Sequence, residues 1–162
     1  MIDKDVLQEV KLIAFDFDGV FTDNSVFTDQ FGVESVRCWR SDGIGLSRLS
    51  KMGIISVIVS TESNPVVSMR AQKLKIPCFQ AIEDKAEAIL EICKNYGISP
   101  MNTMFVGNDI NDIPAFKVIK FPVGVSDSYP EILPYVLFKT QKPGGYGAVR
   151  EICDLLFNSF SE

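Results

Sequence analysis

The sequence predicts an α/β fold, a Rossmann-like, doubly wound parallel sheet with helices on both faces. Short apolar runs of strand length alternate with longer stretches of helical periodicity. Polar residues follow several of these runs, at Asp16, Ser60 and Asn108. The carboxyl ends of parallel strands lie at one edge of a sheet, which is where ligands bind in this class of fold. Since no insertion is long enough to form a separate cap, we expect one domain over residues 1–162.

The apolar runs give the expected order of the elements. We expect strands at residues 12–17, 54–59, 77–79, 104–106, 120–123 and 135–138. We expect helices at residues 43–53, after residue 65, and at residues 84–97, 111–118 and 145–157.

Capping residues and apolar stripes support these helices. Gly53 suits the position after a helix, and Asn64 followed by Pro65 suits the start of one. Asp84 is a further candidate cap, and Gly97 is a candidate end. Three of the helices have an expected buried stripe. In the helix after residue 65 it is Val67, Ala71 and Leu74, and in the helix at residues 84–97 it is Ala86, Ile89, Leu90 and Cys93. In the helix at residues 145–157 it is Val149, Ile152, Cys153 and Leu156.

Residues 25–40 interrupt this alternation. Two strand-like runs, 25–28 and 34–39, flank an Asp-Gln-Phe-Gly sequence that is typical of a hairpin turn. A two-stranded hairpin alone is only marginally stable, and this one is rich in apolar side chains: Val26, Phe27, Val33, Val36 and Trp39. The pattern leaves two options about equally open, since the hairpin packs either on another subunit or on its own core.

Charge and composition exclude several classes of function. The net charge is -5 and no basic run is present, so we expect no nucleic-acid partner. No apolar run has the length of a membrane span, and residues 1–11 lack the apolar core of a signal peptide. We therefore expect a cytoplasmic protein with no membrane partner. The four scattered cysteines favour buried free thiols over a zinc site or disulfides.

The complete absence of histidine limits the possible chemistry. It excludes Ser-His and Cys-His catalysis and every His-ligated metal site. Acid–base chemistry must then use carboxylates, Lys, Tyr or Cys. A metal site must use oxygen ligands, which favours Mg²⁺ over Zn²⁺.

Asp16 and Asp18 are the strongest candidates for catalysis. They stand one residue apart at the end of the first apolar run, and Gly19 breaks the strand after them. Two carboxylates this close repel each other, which a divalent cation would relieve. One carboxylate can then attack an electrophile while its neighbour transfers a proton. A polar strand end leading into a turn is the alternative interpretation, and the matching polar residues at other strand ends argue against it.

Four sequence motifs resemble those of the haloacid dehalogenase superfamily. Residues 16–23, Asp-Phe-Asp-Gly-Val-Phe-Thr-Asp, resemble its first motif, D-x-D-G-V-x-T-D. Ser60 matches the second motif and Lys85 the third. Residues 107–112, Gly-Asn-Asp-Ile-Asn-Asp, match the acidic fourth motif. The motifs stand in the family's order along nearly the whole chain.

The resemblance extends to one group within the superfamily. The compact length, the early hairpin, and residues 40–43 and 144–151 are similar to those of the 3-deoxy-manno-octulosonate 8-phosphate phosphatases and the nonulosonate 9-phosphate phosphatases. The resemblance implies a capless phosphatase acting on a small phosphorylated 2-keto-3-deoxy sugar acid. It also implies a homotetramer, with hairpins 25–40 packed together and segment 141–151 contacting a neighbouring site.

The resemblance further implies roles for individual residues. Asp16 would be the nucleophile and Asp18 the general acid and base, while Ser60 and Lys85 would bind the phosphoryl oxygens and offset their charge. The implied Mg²⁺ ligands are Asp16, Asp18 through its backbone carbonyl, Asn108 and Asp109, with Asp112 behind them. The implied substrate or neighbour contacts are Thr61, Glu62, Arg40, Asp42, Gly43 and Arg150.

Two departures from the family pattern bear on function. Asn108 stands where the fourth motif often has Asp, and the sequence leaves open whether Asn108 or Asp109 contacts the metal. Glu62 stands where octulosonate phosphatases often have a basic residue, which favours a nonulosonate-type substrate. The alternative function is a non-catalytic tetramerisation module associated with a sialate cytidylyltransferase, and the intact Asp16 and Asp18 argue against it. A phosphotransferase or phosphonatase on this scaffold is less favoured, because no acceptor site and no cap lysine are evident.

Overall fold

The computed structural model describes residues 3–160, and residues 1, 2, 161 and 162 of the expected domain lie outside this range. The strands are β1 Leu12–Phe15, β2 Phe27–Thr28, β3 Glu34–Ser35, β4 Ile55–Val59, β5 Cys78–Phe79, β6 Thr103–Gly107, β7 Phe121–Gly124 and β8 Phe138–Lys139. The α-helices are α1 Lys4–Leu7, α2 Asp42–Lys51, α3 Val66–Leu74, α4 Lys85–Tyr96, α5 Ile113–Phe116 and α6 Ala148–Ser159. Short 3₁₀-helices cover Pro100–Asn102, Ile110–Asp112 and Pro130–Tyr135.

Six strands form one parallel sheet in the order β5-β4-β1-β6-β7-β8. The predicted α/β class is therefore confirmed. All four residues of β1 are buried, as expected for a central strand covered on both faces. In the register of β1, Phe15 lies beside Ile58 of β4 and Val106 of β6. The chain leaves these three strands at the same edge of the sheet.

Each face of the sheet carries its own apolar core. One core includes Phe15, Leu49 and Ile152 and lies under α2, α3 and α6. The other includes Phe105, Ile89 and Phe116 and lies under α4 and α5. The inward stripe of α6 is as predicted. In α4, however, Leu90 is exposed and Ile92 is buried instead, because the buried stripe begins at Lys85 rather than at Ala86.

Proline and side-chain caps end two of the predicted elements at other residues than expected. The strand expected at residues 135–138 is reduced to β8, because Pro130–Tyr135 forms a 3₁₀-helix that contains Pro134. The helix expected at residues 111–118 divides into the 3₁₀-helix Ile110–Asp112 and the short α5. Other predicted caps are present: Asp84 accepts hydrogen bonds from the first turn of α4, and Gly97 ends that helix in the left-handed conformation.

The predicted hairpin is present as a separate two-stranded sheet of β2 and β3, though its paired part is short. Its second arm packs on the chain's own core through Val36 and Cys38. Its tip leaves Phe31 81% and Phe27 64% exposed. The option of packing on its own core is therefore confirmed for the base of the hairpin. The apolar tip is uncovered in this chain, and its packing on another subunit stays a prediction.

Two further sequence predictions concern the state of the cysteines and membrane-spanning segments. All four cysteines are free, as expected, but only Cys93 and Cys153 are buried, while Cys38 and Cys78 are half-buried. Across residues 3–160, no helix combines the length and the apolar character needed to cross a membrane.

Candidate active site

The ends of three adjacent strands bring the principal candidate residues together. Asp16 follows β1, Ser60 follows β4 and Asn108 follows β6. All three side chains are buried, with at most 5% of each residue exposed. Buried polar groups of this kind require hydrogen-bond partners, and these hydrogen bonds set much of the site's geometry.

Lys85 reaches this edge from the first turn of α4. Its Nζ lies 2.9 Å from Asp16 Oδ1 and 2.6 Å from Asp112 Oδ1. A cation at a helix N-terminus is unfavourable with respect to the helix dipole, and two carboxylates offset that cost here. Burial lowers the pKa of Lys85, but Asp16 and Asp112 together raise it above its ordinary value. The ammonium group therefore stays charged at neutral pH.

Asp112 links Lys85 to the loop that follows β6. Its Oδ2 accepts hydrogen bonds from the backbone N–H groups of Asn108, at 2.8 Å, and Asp109, at 3.2 Å. Gly107 allows this close approach, because a Cβ at that position would lie 2.6 Å from Asp112 Cγ. The carboxylate of Asp112 thus fixes both the lysine and the loop that presents Asn108.

The Asn108 side chain lies against two oxygen atoms of the loop formed by residues 16–23, here called the aspartate loop. One terminal atom of its amide lies 3.0 Å from the Asp18 backbone oxygen and 3.3 Å from Asp16 Oδ2. If that atom is nitrogen, it donates to both. If it is oxygen, three oxygen atoms face one another, and a cation between them would satisfy all three.

The donor set therefore fits Mg²⁺, which prefers oxygen ligands from carboxylates and carbonyl groups. The described residues contain no cluster of three His, Cys, Asp or Glu side chains with metal-binding geometry. A cation at this position must accordingly use the Asn108 amide and the Asp18 backbone carbonyl together with Asp16.

The Asp109 side chain does not share this position. Its Oδ1 accepts a hydrogen bond of 2.7 Å from the Ile110 N–H and caps the 3₁₀-helix that follows. The side chain therefore serves the helix start, and Asn108 is the residue that reaches Asp16 and Asp18. This geometry favours Asn108 over Asp109 as a metal ligand, and the choice between them stays a prediction.

Burial raises the pKa of Asp16 and of Asp18. Burial first, and then repulsion from Asp112, raises the pKa of Asp16 to about 7, while Lys85 acts in the opposite direction. Burial, followed by repulsion from Glu62, also raises the pKa of Asp18. Asp18 therefore holds a proton more readily than an ordinary carboxyl group. Asp16 would gain from a further positive charge beside it, which is a second reason why a cation fits here.

Ser60 and the residues after it form the neighbouring wall. Ser60 Oγ accepts a hydrogen bond from the Glu62 N–H at 3.1 Å, which leaves its own hydroxyl hydrogen free to donate. Thr61 is exposed, and Glu62 is half-buried. Glu62 Oε1 accepts hydrogen bonds from the Ser63 and Asn64 N–H groups, so its carboxylate is held in place.

A cavity of about 220 Å³ opens beside Asp18. Its acidic lining residues are Asp18, Glu34 and Glu62, and Val36 and Val66 contribute apolar surface. Glu34 comes from the hairpin and accepts a hydrogen bond from the Asn64 amide. Sequence reasoning missed Glu34, because nothing local to β3 shows that it faces the aspartate loop. A larger cavity at the other end of β4, lined in part by Ile55 and Tyr96, lies away from these residues.

Three of the predicted substrate contacts have other roles in this structure. Asp42 is buried and accepts a hydrogen bond from the Arg150 N–H, so it caps the start of α6 instead of facing solvent. Arg150 donates to Asp154 at 2.8 Å and packs along α2. Gly43 lies in α2 beside Leu74. Of these four residues only Arg40 is exposed, and their contact with a substrate or a neighbour stays a prediction.

Segment 141–151 contacts the aspartate loop and other parts of its own chain, and the contact with a neighbouring site that the resemblance implies stays a prediction. Residues 143–147, here called the glycine segment, pack against the aspartate loop, and Gly145 donates a hydrogen bond to the Val20 carbonyl oxygen at 3.1 Å. Glu151 accepts hydrogen bonds from the Gln141 and Lys142 N–H groups. The repeated glycines were the only sequence signal of this close packing.

The chain is similar in sequence to known hydrolases. The chain matches the family model described as haloacid dehalogenase-like hydrolase over residues 62–149. It is 30% identical over 150 residues to the 3-deoxy-D-manno-octulosonate 8-phosphate phosphatase of Escherichia coli strain K12. That alignment covers 92% of this chain and 80% of that protein.

Solved structures of haloacid dehalogenase-like hydrolases are also similar to this chain. The 3-deoxy-D-manno-octulosonate 8-phosphate phosphatase of Moraxella catarrhalis, in complex with a magnesium ion, a phosphate ion and a KDO molecule, superposes with a TM-score of 0.92 at 30% identity. The match covers 96% of this chain and 90% of that chain. A HAD family hydrolase from Streptomyces avermitilis has a TM-score of 0.89 at 40% identity, covering 92% and 86%. The family and the Rossmann-like fold predicted from the sequence are confirmed.

Proposed function

The chain belongs to the haloacid dehalogenase-like hydrolases and is a phosphatase resembling the octulosonate 8-phosphate phosphatases, and from that premise we propose a Mg²⁺-dependent reaction on a phosphorylated 2-keto-3-deoxy sugar acid. The observation that supports this most strongly is the meeting of Asp16, Asp18 and Asn108 around one position, with Lys85 on the far side of Asp16. This arrangement suits a phosphate ester, whose negative charge needs several positive or hydrogen-bonding partners.

Asp16 is the proposed nucleophile. A carboxylate oxygen of Asp16 forms a bond to phosphorus while the bond from phosphorus to the sugar oxygen breaks, which gives an aspartyl phosphate. Oδ1 accepts hydrogen bonds from Lys85 and from the Phe17 N–H at 2.7 Å. These contacts fix the carboxylate before the substrate arrives, so little reorganisation is needed for attack.

Asp18 is the proposed proton donor and acceptor. The departing sugar oxygen takes the proton of Asp18, which holds that proton more readily than an ordinary carboxyl group because burial raises its pKa. The Asp18 carboxylate then removes a proton from water, whose oxygen attacks phosphorus and releases inorganic phosphate. Asp16 returns as a carboxylate and Asp18 is protonated again, so the cycle is balanced.

The remaining residues stabilise charge. Ser60 can donate its hydroxyl hydrogen to a phosphoryl oxygen, and Lys85 supplies positive charge next to Asp16. Asp16, the Asp18 carbonyl and Asn108 would hold Mg²⁺, which when bound supplies further positive charge for the phosphoryl oxygens. Asp112 serves as a positioning residue, because it touches Lys85 and the loop but not the cation position.

The acidic cavity next to Asp18 supports a sugar part rich in hydroxyl groups. Glu34 and Glu62 can accept hydrogen bonds from hydroxyls or an amine, and they repel a carboxylate placed next to them. The carboxylate of a nine-carbon sugar acid lies one carbon farther from the phosphate than that of an eight-carbon acid. We therefore favour a nonulosonate 9-phosphate over the octulosonate 8-phosphate.

Arg70 is the cation best placed to meet the distant carboxylate. Its guanidinium is half-buried, donates to the Trp39 carbonyl oxygen at 3.1 Å, and has a buried Nε with no protein partner. The contact with Trp39 places Arg70 at the end of the hairpin segment 25–40. A carboxylate there would complete its hydrogen bonds.

Oligomerisation through the hairpin is part of the proposal. The exposed tip residues Val26, Phe27, Phe31 and Val33 form an apolar surface on a ribbon that is weak alone. Packing these tips together in a homotetramer would cover them. We also propose that the enzyme works in the cytoplasm.

The substrate proposal is tested by measuring phosphate release from eight- and nine-carbon 2-keto-3-deoxy sugar-acid phosphates, with Mg²⁺ and with a chelator. We expect Mg²⁺-dependent turnover with the highest kcat/KM on a nine-carbon acid. Preference for the octulosonate would contradict the substrate assignment. Turnover that is unchanged by the chelator would contradict the metal assignment.

A further inference from the structure

The aspartate loop is held from outside by backbone of the glycine segment. A Cβ added at Gly144 would overlap the Gly19 carbonyl oxygen and lie 2.5 Å from the Gly19 carbonyl carbon. A Cβ added at Gly145 would lie 2.5 Å from the Thr22 carbonyl carbon. Real side chains do not approach backbone atoms this closely, so any residue larger than glycine at these positions must displace the aspartate loop.

The other side of the same loop touches the proposed metal ligand. Gly19 adopts a positive φ of +82°, and a Cβ there would lie 2.6 Å from Asn108 Cγ. The backbone of Gly19 is therefore enclosed between Gly144 and the Asn108 side chain. The Asp18 carbonyl belongs to the peptide group that joins it to Gly19, so moving Gly19 also moves this carbonyl.

Two hydrogen bonds fasten the glycine segment in place. Gly144 N–H donates to Asp127 Oδ1 at 2.9 Å, and Gly145 N–H donates to the Val20 carbonyl oxygen at 3.1 Å. Asp127 lies after β7, is exposed, and has no part in the chemistry proposed above. Its carboxylate ties the segment to the same edge of the sheet that carries Asn108.

We infer that Gly144, Gly145 and Asp127 are positioning residues that set the distance between the Asp18 carbonyl and the Asn108 amide, and thereby the affinity for the divalent cation. This inference rests on the proposed Mg²⁺ site. Mg²⁺ requires near-octahedral geometry with ligand distances of about 2.0–2.1 Å, so a small displacement of one carbonyl weakens binding. A residue that acts only on folding would leave this affinity unchanged.

The test is direct titration of the whole protein with Mg²⁺, by calorimetry and by the Mg²⁺-induced rise in Tm, alongside the Mg²⁺ dependence of kcat. We expect Gly144→Ala to bind Mg²⁺ more than about tenfold more weakly. We expect Asp127→Ala, which loses one hydrogen bond, to bind about fivefold more weakly, and Asp127→Asn, which keeps an acceptor, to match the unaltered protein.

Gly97→Ala is the control for a general loss of stability. Gly97 has a positive φ of +66° with open space around it, at the end of α4, so alanine there strains the backbone without touching the site. We expect a lower Tm with unchanged Mg²⁺ affinity.

Outcomes for this inference and for the proposed function are distinguishable. If the unaltered protein binds no Mg²⁺, both are overturned. If it binds Mg²⁺ and turns over substrate but Asp127→Ala and any folded Gly144→Ala protein bind Mg²⁺ equally well, only the positioning inference is overturned. Should Gly144→Ala fail to fold, the pair Asp127→Ala and Asp127→Asn decides the matter alone.

Discussion

Lys85 lies 2.6 Å from Asp112, and both side chains are completely enclosed by protein. An unpaired charge at this depth would be very unfavourable, so the two groups depend on each other. Asp112 also accepts two backbone N–H groups from the loop that presents Asn108. One carboxylate thus holds the lysine that faces Asp16 and the loop on the opposite side of the site.

The first prediction concerns this carboxylate. Asp112→Asn keeps the shape but places an amide NH₂ against either Lys85 or two backbone N–H groups. Because a buried donor is then left without a partner, we expect the free energy of unfolding to fall by about 2–4 kcal/mol. We also expect kcat to fall more than about tenfold as Lys85 loses its anchor. Urea unfolding and steady-state kinetics measure both, and wild-type values in either would contradict this role.

The second prediction separates Asn108 from Asp109 as metal ligands. Asn108→Ala removes an oxygen from the proposed cation position, and we expect the Mg²⁺ concentration for half-maximal activity to rise more than about tenfold. Asp109→Ser keeps a residue able to cap the following 3₁₀-helix, and we expect little change. Asn108→Asp should bind Mg²⁺ at least as tightly as the unaltered protein, because it adds a negative charge. A larger effect at Asp109 than at Asn108 would reverse the assignment.

The third prediction concerns the choice of substrate. Glu62→Arg places a positive charge beside the cavity next to Asp18, which favours a carboxylate close to the phosphate. We expect the ratio of kcat/KM for the octulosonate 8-phosphate to that for a nonulosonate 9-phosphate to rise about tenfold or more. Glu62→Gln removes the charge without reversing it and should give a smaller change. An unchanged ratio in both variants would show that Glu62 does not face the sugar.

The fourth prediction concerns the pH dependence of stability. Burial, which outweighs the opposing hydrogen bond from the Arg150 N–H, raises the pKa of Asp42 from its ordinary 3.8 to about 7. The folded chain therefore binds this proton more tightly than the unfolded chain, and Asp42 lowers stability progressively as the pH rises through this interval. Asp42→Asn imitates the neutral acid and keeps an acceptor for the Arg150 N–H.

We expect Asp42→Asn to be about 1–3 kcal/mol more stable than the unaltered protein at pH 8, with the difference shrinking toward pH 4. Urea unfolding of both proteins across this range measures the difference, in which contributions common to both cancel. A variant that is less stable at pH 8 would show that the charged form of Asp42 is the favoured one.

The sequence predicted the positions of the central strands along the chain because their signals are local. Residues 12–15, 55–59 and 103–107 are apolar runs that any parallel sheet would bury on both faces. Because ligands bind at the carboxyl ends of parallel strands, the residues that follow these runs, Asp16, Ser60 and Asn108, were expected at one site. The end of the sheet was harder to predict, because Tyr135 belongs to a 3₁₀-helix that proline favours over a strand.

Residues whose environment depends on distant contacts could not be placed from the sequence. Asp42 and Arg150 resemble surface binding residues in their local context, but the packing of α2 on α6 buries Asp42 against the Arg150 N–H. Asp127 and Gly144 meet across a loop connection that no periodicity reveals. Such contacts follow from tertiary packing, which is why the site's supporting residues required the structure.

The most direct test of the account is to look for the phosphoryl group on Asp16. In the presence of Mg²⁺, the enzyme is mixed with less than one equivalent of substrate and quenched in acid within one turnover. The protein is then digested, and its peptides are analysed by mass spectrometry. The account predicts one phosphoryl group on the peptide that contains Asp16, and none in Asp16→Asn, which should be folded and inactive. Full phosphate release by folded Asp16→Asn, or an unmodified peptide throughout the unaltered enzyme's first turnover, would contradict it.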